Sequence, residues 1–360
     1  MRMETSMTAG IFFAGLNSLF QAIMVKFDQL MMSDCYGNRP RMAWLVSTVA
    51  GTFFGIIAML IAWVVHGLAT DNFVHLSDSI AIWRDGLWMT VVGILTTVVM
   101  GSYFHLFKAT EAGDAPDVTT ISMWLASTPI WVTLFTWIIV TSDVRFGPLE
   151  GLELGEVSAF FFASIVMTTF FIIWFDTEGK RVPITLKRGL MVMVMVSCIS
   201  AYTIIASSVL YERDPGELIA LQPYYWLGFA SGLVILFSKK VRAEVREFAP
   251  KFRQYRNVIL VAELFGAGVY IFEMYAFWHL SGVLVNLISS GHVILVFLLG
   301  YILTFIGKRM IRNNPDHAWN LGAVKLAGKS LISEPANLTQ WALFSAVVLS
   351  LFTAIILYGA

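Results

Sequence analysis

The chain has 360 residues, of which 58% are hydrophobic and 13% are charged, and its mean hydropathy is +0.74. Soluble proteins carry about 25% charged residues, so this composition excludes an ordinary soluble domain and indicates an integral membrane protein. The 24 Lys and Arg residues balance the 24 Asp and Glu residues, which favours neither nucleic-acid binding nor an acidic tail.

Ten apolar stretches are each long enough to cross a bilayer as a helix, because about 20 residues at about 1.5 Å per residue span the hydrocarbon. In chain order they are residues 9–27, 43–66, 87–107, 121–140, 157–175, 189–210, 219–237, 258–278, 283–305 and 338–358. The connections between them are too short for a folded domain. We therefore predict an all-α integral membrane protein with ten transmembrane helices.

The connections that follow the odd-numbered spans hold most of the Lys and Arg residues. Cationic loops stay in the cytoplasm, so this bias predicts a multi-pass protein of the cell membrane with both termini outside the cytoplasm. The basic segment 239–256 carries Val241, Val245 and Phe248 at helical spacing. This pattern predicts a helix that lies along the membrane surface and contacts anionic headgroups, and a solvated charged loop is the alternative.

The fourth and ninth spans have similar centres. Residues 126–135 and 288–297 each place a pair of hydroxyl residues before a residue that perturbs a helix. This match indicates an internal repeat of five spans, with one copy in residues 1–182 and the other in residues 183–360. An odd number of spans per repeat puts the two copies in opposite orientations, as in carriers with inverted repeats.

The residues that perturb these two helices are Pro129 and Gly291. Proline removes one backbone hydrogen bond from a helix, and glycine allows a local bend. Both positions are candidate hinges, and static kinks are the alternative interpretation.

Polar side chains form stripes on the eighth and ninth spans. On the eighth, Glu263, Tyr270 and Glu273 lie within about 80° of one another around the helix axis. On the ninth, Asn286 and the serines at positions 289 and 290 share one face. Ionisable and amide groups inside a membrane usually face a bundle interior or a water-filled cavity, so the stripes predict a lined cavity. For the amide and the serines the alternative is that they only bridge helices.

The segment 127–135, together with residues 200–203 at the start of the second half and residues 15–19 in the first span, resembles the drug/metabolite transporter (DMT) superfamily. The similarity is to its EamA-like members, which have ten spans in two five-span repeats. The resemblance implies a central cavity between the two halves, lined mainly by the first, third, fourth, sixth, eighth and ninth helices.

We interpret the chain as a secondary transporter that moves a small metabolite, such as an amino acid, by alternating access. No G-x-x-x-x-G-K-[ST] phosphate loop occurs, so a solute or ion gradient would drive it, and proton coupling is one form of this. The candidate substrate-binding residues are Asn17, Tyr103, Trp124, Thr128, Tyr202, Tyr270, Asn286 and Ser290. The candidate proton-coupling residues are Glu263, Glu273, His105 and His292, and for either histidine a neutral helix-bridging role is the alternative.

Other classes of protein stay open. A multi-pass scaffold or a channel-like protein is one alternative, and an intramembrane enzyme is another, although no HExxH or GxSxG motif is present. Cys35 and Cys198 imply neither a disulfide framework nor a metal cluster, and we expect no cofactor and no enzymatic activity. The expected partners are a small-molecule substrate and membrane lipids, with no nucleic acid, and a homodimer stays open.

Overall fold

A computed structural model describes residues 2–106, 125, 128–142, 186–313, 318–321 and 324–327. In chain order the elements are α1 (Arg2–Leu30), a π-helical turn (Met31–Cys35), α2 (Pro40–Thr70), α3 (Leu76–Ala81), α4 (Trp83–Leu106), α5 (Thr128–Thr141), α6 (Leu186–Leu210), α7 (Pro215–Ala230), a 3-10 helical turn (Ser231–Phe237), α8 (Lys239–His279), α9 (Gly282–Ser289), α10 (His292–Asn313), β1 (Ala318–Leu321) and β2 (Val324–Ala327). The described part of the chain is therefore predominantly helical.

Within the described residues, seven stretches are long and apolar enough to cross a membrane. They are Met7–Asp28, Pro40–Thr70, Trp83–Leu106, Gly189–Leu210, Pro215–Phe237, Phe252–His279 and Gly282–Asn313. These stretches coincide with the first three predicted spans and with the sixth to the ninth, so the prediction of a multi-pass membrane protein is confirmed.

The remaining predicted spans are described only in part or not at all. The fourth is described as α5, which contributes a shorter apolar helix, Trp131–Thr141. The fifth and tenth, residues 157–175 and 338–358, lie outside the described residues. The count of ten spans, the division after residue 182 and the inverted repeat stay predictions.

Two features of the structure correct the sequence analysis. Strands β1 and β2 pair antiparallel, with Ala318 opposite Ala327, in a connection for which no strand was expected. The basic segment 239–256 is helical, as predicted, but it is the first part of α8, which continues without interruption into the eighth predicted span. Its Phe248 is 3% exposed and packs at 5.5 Å on the ring of Tyr36, so this apolar side chain faces protein. Contact of its cations with anionic headgroups stays a prediction.

Helices α1 and α8 pack antiparallel through an aromatic seam. Phe13, Phe20 and Phe27 recur every seven residues on α1, which keeps them on one face. The ring of Phe20 lies 4.9 Å from Phe272 and 5.1 Å from Phe265, and the ring of Phe27 lies 6.1 Å from Phe265. The C-terminal end of α1 is therefore held beside the middle of α8.

Helices α4 and α7 approach each other unusually closely at two glycines. A Cβ atom added to Gly228 would lie 2.1 Å from the carbonyl oxygen of Thr90, and one added to Gly93 would lie 2.2 Å from that of Tyr225. Small residues let the backbones of membrane helices come into direct contact. This contact fixes α7 against α4 next to Phe229.

Helix α2 exposes one long apolar face. Its exposed large apolar side chains include Val49, Phe53, Ile56, Ile57, Leu60, Ile61, Val64, Val65 and Leu68. Contiguous apolar surface of this extent is suited to lipid and not to water. The opposite face of α2 packs on α7 and α8.

The ninth predicted span is broken into two helices. Helix α9 ends at Ser289 and α10 begins at His292, and the hydroxyl group of Ser290 donates to the carbonyl oxygen of Asn286 at 2.8 Å. The break falls at the glycine that the sequence analysis singled out, Gly291. Whether this position works as a hinge stays a prediction.

Candidate functional site

A cavity lies among α1, α2, α4, α6, α7 and α8. The space between its lining atoms is about 790 Å³, including the part open to solvent. Its polar lining residues are Asn17, Gln21, Asp28, Ser47, Tyr103, Tyr202, Glu263, Tyr270 and Glu273.

Helix α1 contributes one continuous stripe to the cavity. Asn17, Gln21, Met24 and Asp28 are spaced by four, three and four residues and all line it. At about 100° per residue they fall within about 60° around the helix axis. The stripe exists because α1 continues to Leu30, one turn beyond the predicted end of the first span.

Helix α8 contributes the second stripe. Glu263, Gly266, Tyr270 and Glu273 line the cavity, as the helical spacing of the two glutamates and the tyrosine predicted. Ten residues separate the two glutamates, which places their backbones about 15 Å apart along the helix axis. Tyr270 lines the cavity between the two glutamates, and its ring lies 5.6 Å from that of Phe229.

Each of the three carboxylates in the cavity accepts a hydrogen bond from a hydroxyl group on another helix. Tyr103 donates to Asp28 at 2.9 Å, Tyr202 donates to Glu273 at 2.9 Å, and Ser47 donates to Glu263. The three acidic residues are at most 5% exposed. These bonds tie α1 to α4, α8 to α6 and α8 to α2.

The cavity is lined by acidic side chains that no basic side chain of the described residues balances. Within the part of the chain that the structure describes, no Lys, Arg or His side chain lines the cavity, and none of the three carboxylates forms an ion pair. Burying an unpaired carboxylate is costly, so the cavity favours a bound proton or a bound cation.

The amide of Asn17 adds an acceptor to this surface. Its nitrogen donates to the hydroxyl group of Ser289 at 3.0 Å, next to a bond from Ser18 to the carbonyl oxygen of Ile288 at 2.9 Å. Its oxygen is buried and has no hydrogen-bond partner among the described residues. A buried acceptor without a partner is costly, and a ligand with an N–H or O–H group would satisfy it.

Ion pairs link the helices toward both ends of the bundle. Arg39 pairs with Glu247 of α8, and the hydrogen bond between them raises the pKa of Arg39 above its usual value. At the other end of α8, the indole nitrogen of Trp278 donates to the carbonyl oxygen of Arg213 at 2.7 Å. The guanidinium group of Arg213 contacts Asp85 of α4 and Glu217 of α7.

The structure brings six of the predicted site residues together in the cavity. They are Asn17, Tyr103, Tyr202, Glu263, Tyr270 and Glu273. Trp124 lies outside the described residues. The functional role of each of these residues stays a prediction.

The other predicted site residues do not line this cavity, and their polar groups bond within the bundle. Thr128 donates to the carbonyl oxygen of Leu125, and Asn286 donates to the hydroxyl group of Thr203 at 2.7 Å. Ser290 bonds to the backbone of its own helix, as described above. The Nδ1 atom of His105 lies 2.6 Å from the carbonyl oxygen of Gly101, and that of His292 lies 2.8 Å from the carbonyl oxygen of Ser289. Such bonds are typical of groups that bridge or stabilise membrane helices.

Three polar residues of the cavity were missed by the sequence analysis: Gln21, Asp28 and Ser47. The spacing of the α1 stripe was a signal that could have found Gln21 and Asp28. Ser47 carried no signal of its own, since its role depends on the packing of α2 against α8.

Within the described residues, no group of three or more His, Cys, Asp or Glu side chains is arranged to hold a metal ion. Comparison of the chain with protein-family models and with curated proteins finds no match. The relation to the drug/metabolite transporter superfamily stays a prediction that rests on the residues given above.

Proposed function

We propose that this protein is a secondary transporter that carries a small organic solute across the membrane by alternating access. The observation that carries the proposal is the cavity between the spanning helices, with Asp28, Glu263 and Glu273 inside it. Ionisable side chains at membrane depth are rare and mark the paths of substrates, ions or protons.

The broken ninth span supports this proposal. Discontinuous helices near the substrate site are a recurrent feature of secondary transporters, because freed backbone groups become available there. The break between α9 and α10 lies next to the cavity, since Ser289 accepts a hydrogen bond from Asn17, which lines it. A change in the angle at this break would move α1 and so reach the cavity directly.

The ion pairs toward the two ends of the bundle also support the proposal of alternating access. Alternating access requires that one end of the bundle opens while the other stays closed. Arg39 with Glu247 and Arg213 with Asp85 are pairs between side chains that are partly exposed, so each is weak enough to break in turn. In this proposal the two pairs hold opposite ends of the bundle closed.

Proton coupling belongs to the same proposal. Glu263 interacts with Ser47, Asp28, Tyr36 and Tyr270. Glu273 interacts with Tyr202, Tyr225 and Tyr270. A carboxylate that loses water when its half of the cavity dries is stable only if it takes up a proton or pairs with a cation. Exchange of a proton for solute at these groups would couple transport to a proton gradient.

The test is counterflow in proteoliposomes. Vesicles that contain the purified protein are loaded with one unlabelled solute from a panel of amino acids, amines and carboxylates, and uptake of the same labelled solute is followed. We expect saturable counterflow of at least one solute, with a pH dependence that is lost in Glu263→Gln or Glu273→Gln. Glu244→Gln, on α8 but outside the cavity, is the matched control.

The alternatives give different results in this assay. A channel-like protein would give flux that does not saturate and is not accelerated by solute inside the vesicle. A scaffold would give no flux of any solute in the panel. Unchanged pH-dependent counterflow in both variants would contradict the coupling role of the two glutamates.

A further inference from the structure

Resting on the transport function proposed above, we propose that the solute is a linear oligoamine, an elongated organic cation with an ammonium group near each end. The cavity has three carboxylates, and within the described residues no basic side chain lines it. A ligand of opposite charge is the partner that such a surface lacks, because the carboxylates are buried and, among the described residues, accept hydrogen bonds only from neutral hydroxyl groups.

The hydrogen-bonding groups of the cavity favour nitrogen donors. A carboxylate offers about four acceptor positions, and the hydroxyl groups of Ser47, Tyr103 and Tyr202 each occupy one. The buried Asn17, which is 1% exposed and lines the cavity, adds an amide oxygen that has no partner among the described residues. Ammonium groups carry several N–H donors and no acceptor, which matches a surface of acceptors.

The positions of the carboxylates argue for an elongated ligand. Asp28 follows Phe27, whose ring packs on Phe265, so it lies near the Glu263 end of the cavity. Glu273 lies about 15 Å further along α8, measured between backbones. A single metal ion holds its oxygen ligands at about 2.3–2.6 Å, so it cannot contact both ends. A chain with a charged group near each end can.

The middle of the cavity suits the carbon chain of such a ligand. The lining also includes Met24, Val99, Phe229 and the ring of Tyr270. Tyr270 lies between Glu263 and Glu273 along α8, Phe229 packs on its ring, and Met24 lies beside Gly266 of the same stretch. Methylene groups pack favourably on this surface, and an aromatic face also attracts an ammonium group in the interior of the chain. A small ion or a compact amino acid would leave this part of the lining without contact.

The experiment is isothermal titration calorimetry on the purified full chain in a non-ionic detergent. The probes are spermidine, putrescine, hexylamine and glutarate. We expect spermidine to bind at least about tenfold more tightly than hexylamine, which has only one ammonium group, and putrescine to lie between them. Glutarate should not bind, because it has the charge of the cavity itself.

Variants test the two ends separately. Glu273→Gln should reduce the affinity for spermidine to about that for hexylamine, whereas Glu244→Gln should leave both affinities unchanged. Glu→Gln keeps the shape of the side chain and removes a buried charge, so we expect a folded protein, verified by its thermal unfolding midpoint. If Glu273→Gln does not fold, Tyr202→Phe serves instead, since it removes the hydroxyl group that orients Glu273.

The outcomes separate the ligand from the transport function. Equal affinities for spermidine and hexylamine, binding of glutarate, or an unchanged ratio of affinities in Glu273→Gln would overturn the oligoamine assignment. Counterflow of another solute without spermidine binding would overturn the same assignment and leave transport standing. Tight binding of spermidine that depends on Glu273, without counterflow, would support the ligand assignment and overturn transport.

Discussion

Replacing Gly228 with alanine tests the close contact between α4 and α7. The added Cβ atom would lie 2.1 Å from the carbonyl oxygen of Thr90 and 2.9 Å from its carbonyl carbon. Both are backbone atoms of a helix, so no flexible side chain can move aside to relieve the clash. The whole of α7 must move away from α4.

The size of the effect follows from these distances. Ordinary van der Waals contact begins at 3.4 Å, so the helices must separate by about 1 Å in a close-packed interior. Overpacking of this kind costs about 1–3 kcal/mol. Alanine also favours a helix over glycine by about 1 kcal/mol. The net expected loss is therefore up to about 2 kcal/mol, and Phe229, the next residue, moves with α7 at the wall of the cavity.

The assay is thermal unfolding of the purified protein in detergent, followed by ligand titration. The matched control is Gly15→Ala, because no atom of the described residues lies within 4 Å of a Cβ atom added there. We expect a lower unfolding midpoint for Gly228→Ala and an unchanged or higher one for Gly15→Ala. If the two variants unfold at the same temperature, the reasoning about the α4–α7 contact is refuted.

Three further measurements test other parts of the structure. Tyr202→Phe leaves Glu273 without its hydroxyl donor, so we expect a loss of about 1–3 kcal/mol in the free energy of unfolding, and an unchanged value would contradict the bond. Arg213→Gln breaks the ion pairs of α4 and α7, and we expect counterflow to lose its saturation if this end leaks; unaltered kinetics would argue against a gate. Single cysteines are introduced at Thr5 and at Lys251 in a chain whose two native cysteines are replaced. In intact cells an impermeant maleimide should label the cysteine at Thr5, which is predicted to lie outside, and not the one at Lys251. Labelling at Lys251 alone would reverse the predicted orientation.

The seven spans that the structure describes were predictable because the length and hydropathy of each stretch decide them locally. The α8 stripe was predictable for the same reason, since the angles between Glu263, Tyr270 and Glu273 depend only on helix geometry. Asp28 was missed because a carboxylate looks like the end of a span, whereas α1 continues one turn further and Tyr103 satisfies the charged group.

Which polar residues line the cavity depends on packing between helices that are far apart in sequence, and this could not be predicted from local sequence. Asn286 and Asn17 are both single amides in apolar helices, and nothing in their local sequence separates them. Asn286 bonds to Thr203 of α6, whereas Asn17 lines the cavity and its side-chain oxygen has no hydrogen-bond partner among the described residues. The apolar face of segment 239–256 looked like a membrane-binding face because its protein partner, Tyr36, comes from a turn far away in sequence.

The exposed apolar face of α2 makes the position of this helix depend on the thickness of the bilayer. Val49 and Leu68 lie at its two ends, about 29 Å apart along the helix, which is close to the hydrocarbon thickness of about 30 Å. In a thicker or thinner bilayer, hydrophobic mismatch would tilt α2. Ser47, two residues before Val49 at the edge of this face, donates to Glu263 in the cavity. We therefore expect solute affinity to change with the acyl-chain length of the lipids that surround the protein.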